Sequence, residues 1–431
     1  MKRKFGTKTI LIFAASVMGG AAAQAGPSGS EMDMGLMPAS GGMEGVGIVR
    51  PQDNVAMVFG NPASLTQLKG IFGATFGGSY VSPNLKLNGI ATIGPDFDTG
   101  GLFGGPVNGH SRLGDLAMPH AAVVQRYNEK LVMGMGITGV SGLGSDWRNV
   151  RNVGLIADLK LFGAGMSVGY KVNDKLSLGG TFVLGIGSFQ VGTLNNTASV
   201  NNFGISGTLG FTYDMGMFQL GGTYKSKMKV TYDKVVQVDA VGTLADFTLT
   251  QPTDITVGVA STDKFNSNML IEVDFRWKNY SKANGYQDFW RNQWKIAGGI
   301  SYKMGEKLTL RGGYSFARGI AKKLNGTEGN LGELTQLFFP GAPDVGLGPD
   351  VAPVFADVIQ LAQATIANGL WKQGISTGMG YQVFPNLRAD VNIQYSFDGK
   401  ANLVSPIPGS PQNLNVNGTL LSFGMGFSWS F

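Results

Sequence analysis

The chain has no cysteine and only two histidines, His110 and His120, in 431 residues. The first absence excludes disulfides and thiolate metal centres. The second leaves little for an imidazole-based catalytic or zinc site, and both histidines read as polar residues near a first external loop. Charged residues make up only 14% of the chain. Beyond the N-terminus no apolar run reaches the roughly 18 residues that a membrane-spanning helix needs. A serine nucleophile elbow, a paired zinc-ligand motif and a phosphate loop are all missing, and Gly163-Ala164-Gly165 falls inside a strand pattern, so neither an enzyme nor a cofactor is expected.

Glycine and alternation are what the sequence has instead. There are 67 glycines, and the mean hydropathy is close to zero. From Thr419 to Phe431, Leu421, Phe423, Met425, Phe427, Trp429 and Phe431 alternate with serines and glycines. A period of two puts one set on each face of a strand. A transmembrane barrel turns such an apolar face to lipid and the small polar face to its lumen, and the two average to near-neutral hydropathy.

The first residues indicate export. Lys2, Arg3, Lys4 and Lys8 precede an apolar run ending in Ala23-Gln24-Ala25, which reads as a secretory signal peptide over residues 1–25. Those four basic residues supply most of the formal charge of +6 and leave +2 for the mature chain. No clustered basic face remains to suggest nucleic acid. Residues 26–69 are rich in turn residues and glycine and read as a compact irregular segment. Met32, Met34, Met37 and Met43 fit apolar packing there, with soft copper ligation as the other reading.

From residue 70 onward the pattern divides into about fourteen strands: 70–82, 116–127, 130–140, 155–172, 175–187, 200–213, 217–232, 248–261, 267–280, 292–304, 307–318, 371–384, 386–397 and 418–431. Tight turns such as Asn128-Glu129, Asn173-Asp174 and Gly305-Glu306 alternate with long links. Bacterial outer-membrane barrels have such short periplasmic turns and long external loops. The fold class is therefore all-β: a transmembrane antiparallel barrel over 70–431 in the bacterial outer membrane, with both termini periplasmic. Glu272, Asp274, Arg276 and Lys278 alternate with Ile271, Val273, Phe275 and Trp277 and read as a mutually paired charge ladder in a wet lumen. Lys225, Lys227 and Lys229 read as one inward row. Trp277, Tyr280, Phe316, Tyr395 and Trp371 are expected in an external aromatic girdle, and Trp429, Phe431 and Tyr381 in a periplasmic one.

Several short motifs in fixed order resemble the FadL-type outer-membrane transporters of long-chain fatty acids and aromatic hydrocarbons. They are Gly45-Val46-Gly47, Asp53, Ala56 and Asn61-Pro62-Ala63, then Gly134 to Gly142-Leu143, Phe203-Gly204, Tyr224-Lys225-Ser226, Pro252 to Gly258 and Arg311-Gly312-Gly313-Tyr314. The resemblance implies that residues 26–69 form a plug inside the barrel, with Asp53, Asn61, Pro62 and Ala63 in its motif. Read on its own, Asn61-Pro62 is also a helix N-cap. The resemblance further implies a kink in the third strand that opens the wall, for which Gly134, Gly136 and Gly139 are the candidates. The loops depart from the family: the helical insertion expected before the sixth strand shrinks to 188–199, and the longest link is 319–370. Within that link Phe355, Val358, Ile359, Ala362 and Ile366 share one face at helical spacing, a candidate external capture helix.

The function expected on these grounds is uptake of hydrophobic small molecules by facilitated diffusion through a plugged, monomeric barrel. A general porin for polar solutes is the alternative, and it would need an open lumen. Expected partners are the cargo, outer-membrane lipid and lipopolysaccharide, and the barrel-assembly machinery that reads the last strand. Deleting Phe431 should therefore lower the amount of assembled barrel more than the uptake per barrel. Normal barrel levels with lost uptake, on immunoblots and transport assays of the same cells, would contradict this.

Overall fold

A computed structural model of the chain describes residues 37–92, 104–193, 199–237, 244–323, 352–365 and 371–431. The expected signal peptide 1–25, the beginning of the expected plug with Met32 and Met34, and Ile366 lie outside the described residues. The strands in chain order are β1 (Phe72–Ala91), β2 (Gly105–His110), β3 (Leu116–Arg126), β4 (Leu131–Asp146), β5 (Leu155–Lys171), β6 (Leu176–Thr193), β7 (Ser199–Asp214), β8 (Phe218–Lys225) and β9 (Met228–Gln237). They continue as β10 (Leu244–Gln251), β11 (Asp254–Ser261), β12 (Met269–Lys278), β13 (Gln293–Met304), β14 (Leu308–Ala317), β15 (Gln373–Phe384), β16 (Leu387–Val404) and β17 (Asn413–Ser430).

Fourteen of these form one antiparallel wall in the order β1, β3 to β8, then β11 to β17, and β17 pairs back onto β1 to close it. The closing seam runs unbroken from Gly73 opposite Ser430 to Ile90 opposite Asn413. Closure leaves no sheet edge at that seam, which a spanning sheet requires because lipid offers backbone groups no partners. The alternation read in the last strand holds: Phe423 and Met425 are exposed on the outer face, while Ser422 is buried on the inner one.

The wall departs from the sequence reading in three ways. First, β1, β16 and β17 run well past the expected ends, and β2 pairs with the far part of β1. Second, Tyr280 and Trp371 are fully buried rather than in an external girdle. Third, the expected strands 217–232 and 248–261 each break. Their near halves, β8 and β11, stay in the wall, whereas β9 and β10 form a separate hairpin. Pro252 stands at the break, where a missing N–H cannot serve a central ladder.

The described part of the N-terminal segment lies against the inner face. It contains α1 (Asn54–Phe59) and short 3-10 turns over Ser40–Met43 and Pro62–Gln67. Inward-facing glycines let its backbone touch the wall. A Cβ at Gly179 would lie 2.4 Å from the Ala63 nitrogen, and one at Gly313 would lie 2.4 Å from the Met43 carbonyl carbon. Gly179→Val should therefore unseat the segment, at a cost of about 1–3 kcal/mol for overpacking. The expected result is faster proteolysis within 37–69 and a lower melting midpoint in detergent. Gly298→Val, whose Cβ would meet nothing closer than 3.9 Å, should change neither.

Candidate functional site

The segment's backbone is irregular and buried, so its polar groups need partners other than a ladder. Inward-facing side chains of the wall supply them. Glu272 accepts from the Val49 and Arg50 amides at 2.7 and 3.0 Å, and Asp274 accepts from the Gly47 and Ile48 amides at 3.1 and 3.4 Å. The row on β12 is thus not the mutually paired ladder expected: its two carboxylates hold the segment, while Arg276 turns to Asp254 and Thr256. Four strands further round the wall, on β16, Asn392 donates to the Pro38 carbonyl at 2.8 Å and Gln394 to the Gly41 carbonyl at 2.7 Å. Beside them Arg311 and Asp390 make a buried ion pair of 2.9 Å.

Within the segment, the expected motif residues are structural ties. The Asp53 carboxylate caps α1 through the Ala56 amide at 2.9 Å and accepts from the Ala39 and Ser40 amides. The Asn61 side-chain oxygen accepts from the Ala63 amide at 3.1 Å, a cap with Pro62 in the first helical position. Its amide nitrogen donates to the Ile48 carbonyl at 2.7 Å and, across to β7, to the Phe211 carbonyl at 3.0 Å. Asn61 is therefore both the local cap and a tie to the wall.

The wall is interrupted between β3 and β4. Their ladder runs only from Arg126 opposite Val132 to Ala121 opposite Ile137. Beyond it β4 pairs with β5 alone, with a bulge at Val140 between Gly139 and Ser141. At its far end β4 meets the link that follows β2 instead, where the Asp146 carbonyl accepts from the Arg112 amide at 2.7 Å and the Asp146 amide donates to Ser111 at 2.9 Å. Between these points lies a stretch of wall without a ladder. Gly139 borders the bulge, but Gly134 and Gly136 sit in the regular ladder. A Cβ on Gly134 would meet Val58 and Leu65 of the segment, so that glycine makes room for the segment rather than for a bend. Pro119 lies in β3 beside the interruption and marks it in the sequence, since strand prolines belong to edges and bulges. His120 is buried in the wall here, not in a loop, with its ring bonded to Thr138 at 2.8 Å and to Ser79 at 3.2 Å.

A cavity of about 40 Å³ joins these features. Met37, Ile48 and Phe59 of the segment line one side, Thr138, Gly139 and Val140 of the interrupted wall another, and Lys225, Asp254 and Arg276 give it a polar end. One water needs roughly 10–15 Å³ of such space and ligand pockets usually exceed about 300 Å³, so this cavity is closed to cargo as it stands. On the periplasmic side a second cavity of about 500 Å³ lies between the segment and the strand ends, bordered by Arg50, Lys69, Lys303, Lys307 and Arg388.

The external side is also filled. Tyr286 stacks on Trp290 at 4.9 Å, and Tyr280 meets the same indole edge-on at 5.0 Å. Helix α2 (Ala352–Thr365) contains Phe355, Val358, Ile359 and Ala362 of the expected capture face. Ile359 and Ala362 are fully buried, as is Asp357 on another side of the helix, so the helix is enclosed rather than laid open. The Trp147 indole donates to its Thr365 carbonyl, and Gln363 donates to the Phe289 carbonyl at 2.6 Å. The hairpin β9–β10 folds inward, with Met228 against Gly185 and Tyr232 against Gly187. Lys225, Lys227 and Lys229 therefore do not form one row: Lys225 lines the small cavity, Lys227 reaches the Lys282 carbonyl, and Lys229 is exposed on the hairpin.

A family profile described as outer membrane protein transport protein (OMPP1/FadL/TodX) matches residues 39–325. Outer membrane protein P1 of Haemophilus influenzae is 23% identical over 336 residues, spanning 63% of this chain and 72% of that protein. Among solved structures, a Pseudomonas aeruginosa FadL homologue superposes with a TM-score of 0.65 at 17% identity, covering 94% of this chain and all of the other. The Pseudomonas putida toluene transporter TodX superposes at 0.62 and 15% identity, covering 92% and 98%. These structural likenesses show the fold, and the profile shows the family. The fourteen-stranded barrel described here belongs to the OMPP1/FadL/TodX family of outer-membrane transport proteins.

Proposed function

We propose that this chain carries hydrophobic small molecules, long-chain fatty acids or aromatic and aliphatic hydrocarbons, across the outer membrane by facilitated diffusion. Residues 26–69 act as the plug, and the cavity between plug and wall is the cargo pocket in its closed form. The observation that carries this reading is the position of that cavity: the segment lines one side and the interrupted wall at Gly139 and Val140 lines another. A cargo held there touches the part that must move and the part of the wall that lacks a ladder. Growth of the pocket requires the segment to shift, and only a cargo that binds the shifted state more tightly can drive this. Exit then runs sideways between β3 and β4, because an apolar cargo gains nothing by entering a periplasmic vestibule lined by charges of both signs. A porin for polar solutes is not supported, since both ends of the described lumen are occupied.

Deleting Val140 removes the bulge and tests the exit. Uptake of radiolabelled toluene and oleate by cells should fall about tenfold, equivalent to about 1.4 kcal/mol on the limiting step, at unchanged barrel levels. Unchanged uptake of both would rule out passage through this wall. Glu272→Gln combined with Asp274→Asn tests the plug. Losing charge-assisted bonds worth about 1.5–3 kcal/mol each should speed amide exchange at residues 47–50 at least tenfold. Exchange as slow as in the parent protein would show that the segment is held by other means.

A further inference from the structure

The anomalous element of the wall is the external half of β7. It pairs with β6 along its length, from Gln190 opposite Ser199 down to Leu176 opposite Tyr213. Its ladder with β8 begins only at Thr208 opposite Lys225. Ser199–Ser206 thus has no ladder on that side among the described residues, although Phe203 and Ile205 present exposed apolar side chains outward. An open strand edge facing lipid offers backbone donors and acceptors that lipid cannot bond; on this edge the Phe203 amide turns to the Asn202 side-chain oxygen at 2.8 Å.

The segment that would complete this edge is β9. Continuing the β7–β8 register would put Ile205 opposite Met228, Phe203 opposite Val230 and Asn202 opposite Thr231. Parity permits it: Leu209 and Tyr224 are opposite each other and both outward, so Met228, Val230 and Tyr232 would face lipid while Lys227 and Lys229 faced the lumen. A slip by one residue would reverse every side chain. The same partners already meet in the folded-in position. Asn202 donates to the Thr231 carbonyl at 2.7 Å, and a Cβ on Gly204 would lie 2.6 Å from the Lys229 oxygen. β9 therefore lies under the inner face of β7 at the height its ladder would need, displaced sideways on the order of 5–10 Å.

The folded-in position has a specific seat and a specific cost. Gly185 and Gly187 admit Met228 and Tyr232, since Cβ atoms there would come within 2.3 and 2.2 Å of them. The Tyr232 hydroxyl is buried without a hydrogen-bond partner, which disfavours the folded-in position. At the hinge the Ser226 amide donates to the Gly207 carbonyl at 2.8 Å while its hydroxyl accepts from the Gly207 amide at 2.9 Å, so the last rung between β7 and β8 is half backbone and half side chain. Pro252 marks the matching break on the return strand.

We propose that the β9–β10 hairpin is a movable flap of the barrel wall. It exchanges between the lumen, where it closes the external mouth, and the free edge of β7, where β9 continues β8 and the mouth opens onto the pocket at Lys225. The effect on uptake rests on the transport reading above, but the exchange of positions does not.

The chain has no cysteine of its own, so engineered pairs report cleanly. In Ile205→Cys/Met228→Cys the two thiols lie on opposite faces of β7 when the flap is folded in and directly opposite when it is in the wall. Oxidation of intact outer membranes should give an intrachain disulfide, seen as a mobility shift on non-reducing gels. Gly187→Val, which fills the seat of Tyr232, should speed its formation. Phe203→Cys/Val230→Cys is the second pair, for use if the first reduces assembly. No disulfide in either assembled pair would overturn the proposal. With the bond formed, uptake of radiolabelled toluene or oleate should rise severalfold and return to the parent rate on reduction. A bond that forms without any uptake in parent or variant would instead overturn the transport reading.

Discussion

The structure depends on one constraint: a stretch of irregular backbone is buried inside a closed barrel, and every amide and carbonyl in it needs a partner that a β-ladder cannot provide. Carboxylates on β12 meet the amides of residues 47–50, and amide side chains on β16 meet the carbonyls of Pro38 and Gly41. Glycines at positions such as 179 and 313 bring the two backbones within contact distance. The abundance of glycine and the inward charges are thus two parts of one solution. The carboxylates of Glu272 and Asp274 are buried by the same segment that supplies their donors, which couples segment and wall energetically.

The wall fails to be continuous in two places, and the cause is alike in both. Pro119 stands beside the missing rungs of β3 and β4, and Pro252 at the point where the β9–β10 hairpin leaves the sheet. A strand that lacks an N–H at a central position cannot complete its ladder. Both interruptions border the same small cavity: Thr138 to Val140 on one side, Lys225 and Asp254 on the other. The cavity is closed outside by buried aromatic rings and below by the segment.

The solved structures reported above share this fold at identities of 15–17%, and the two faces of the strands place unequal demands on sequence. The outer face needs only to be apolar, so many sequences satisfy it. The inner face is specific, because each side chain answers a particular group of the segment. Short motifs such as Asn61-Pro62-Ala63 carry defined hydrogen bonds.

Strand number, turn positions and the outward face could be read from the sequence, because a period of two and the tight turns are local properties. Leu421 to Phe427 and the turns at Asn128 and Asn173 needed no knowledge of anything distant. The caps at Asp53 and Asn61 were legible for the same reason. What Glu272 and Asp274 hold was not, since their partners lie more than two hundred residues away in the chain. Likewise the enclosure of Ile359 and Ala362, the burial of His120 and the inward fold of β9 were decided by what closure of the barrel brought alongside. Alternation specifies which side of a strand a residue takes; only the closed barrel specifies what waits on that side.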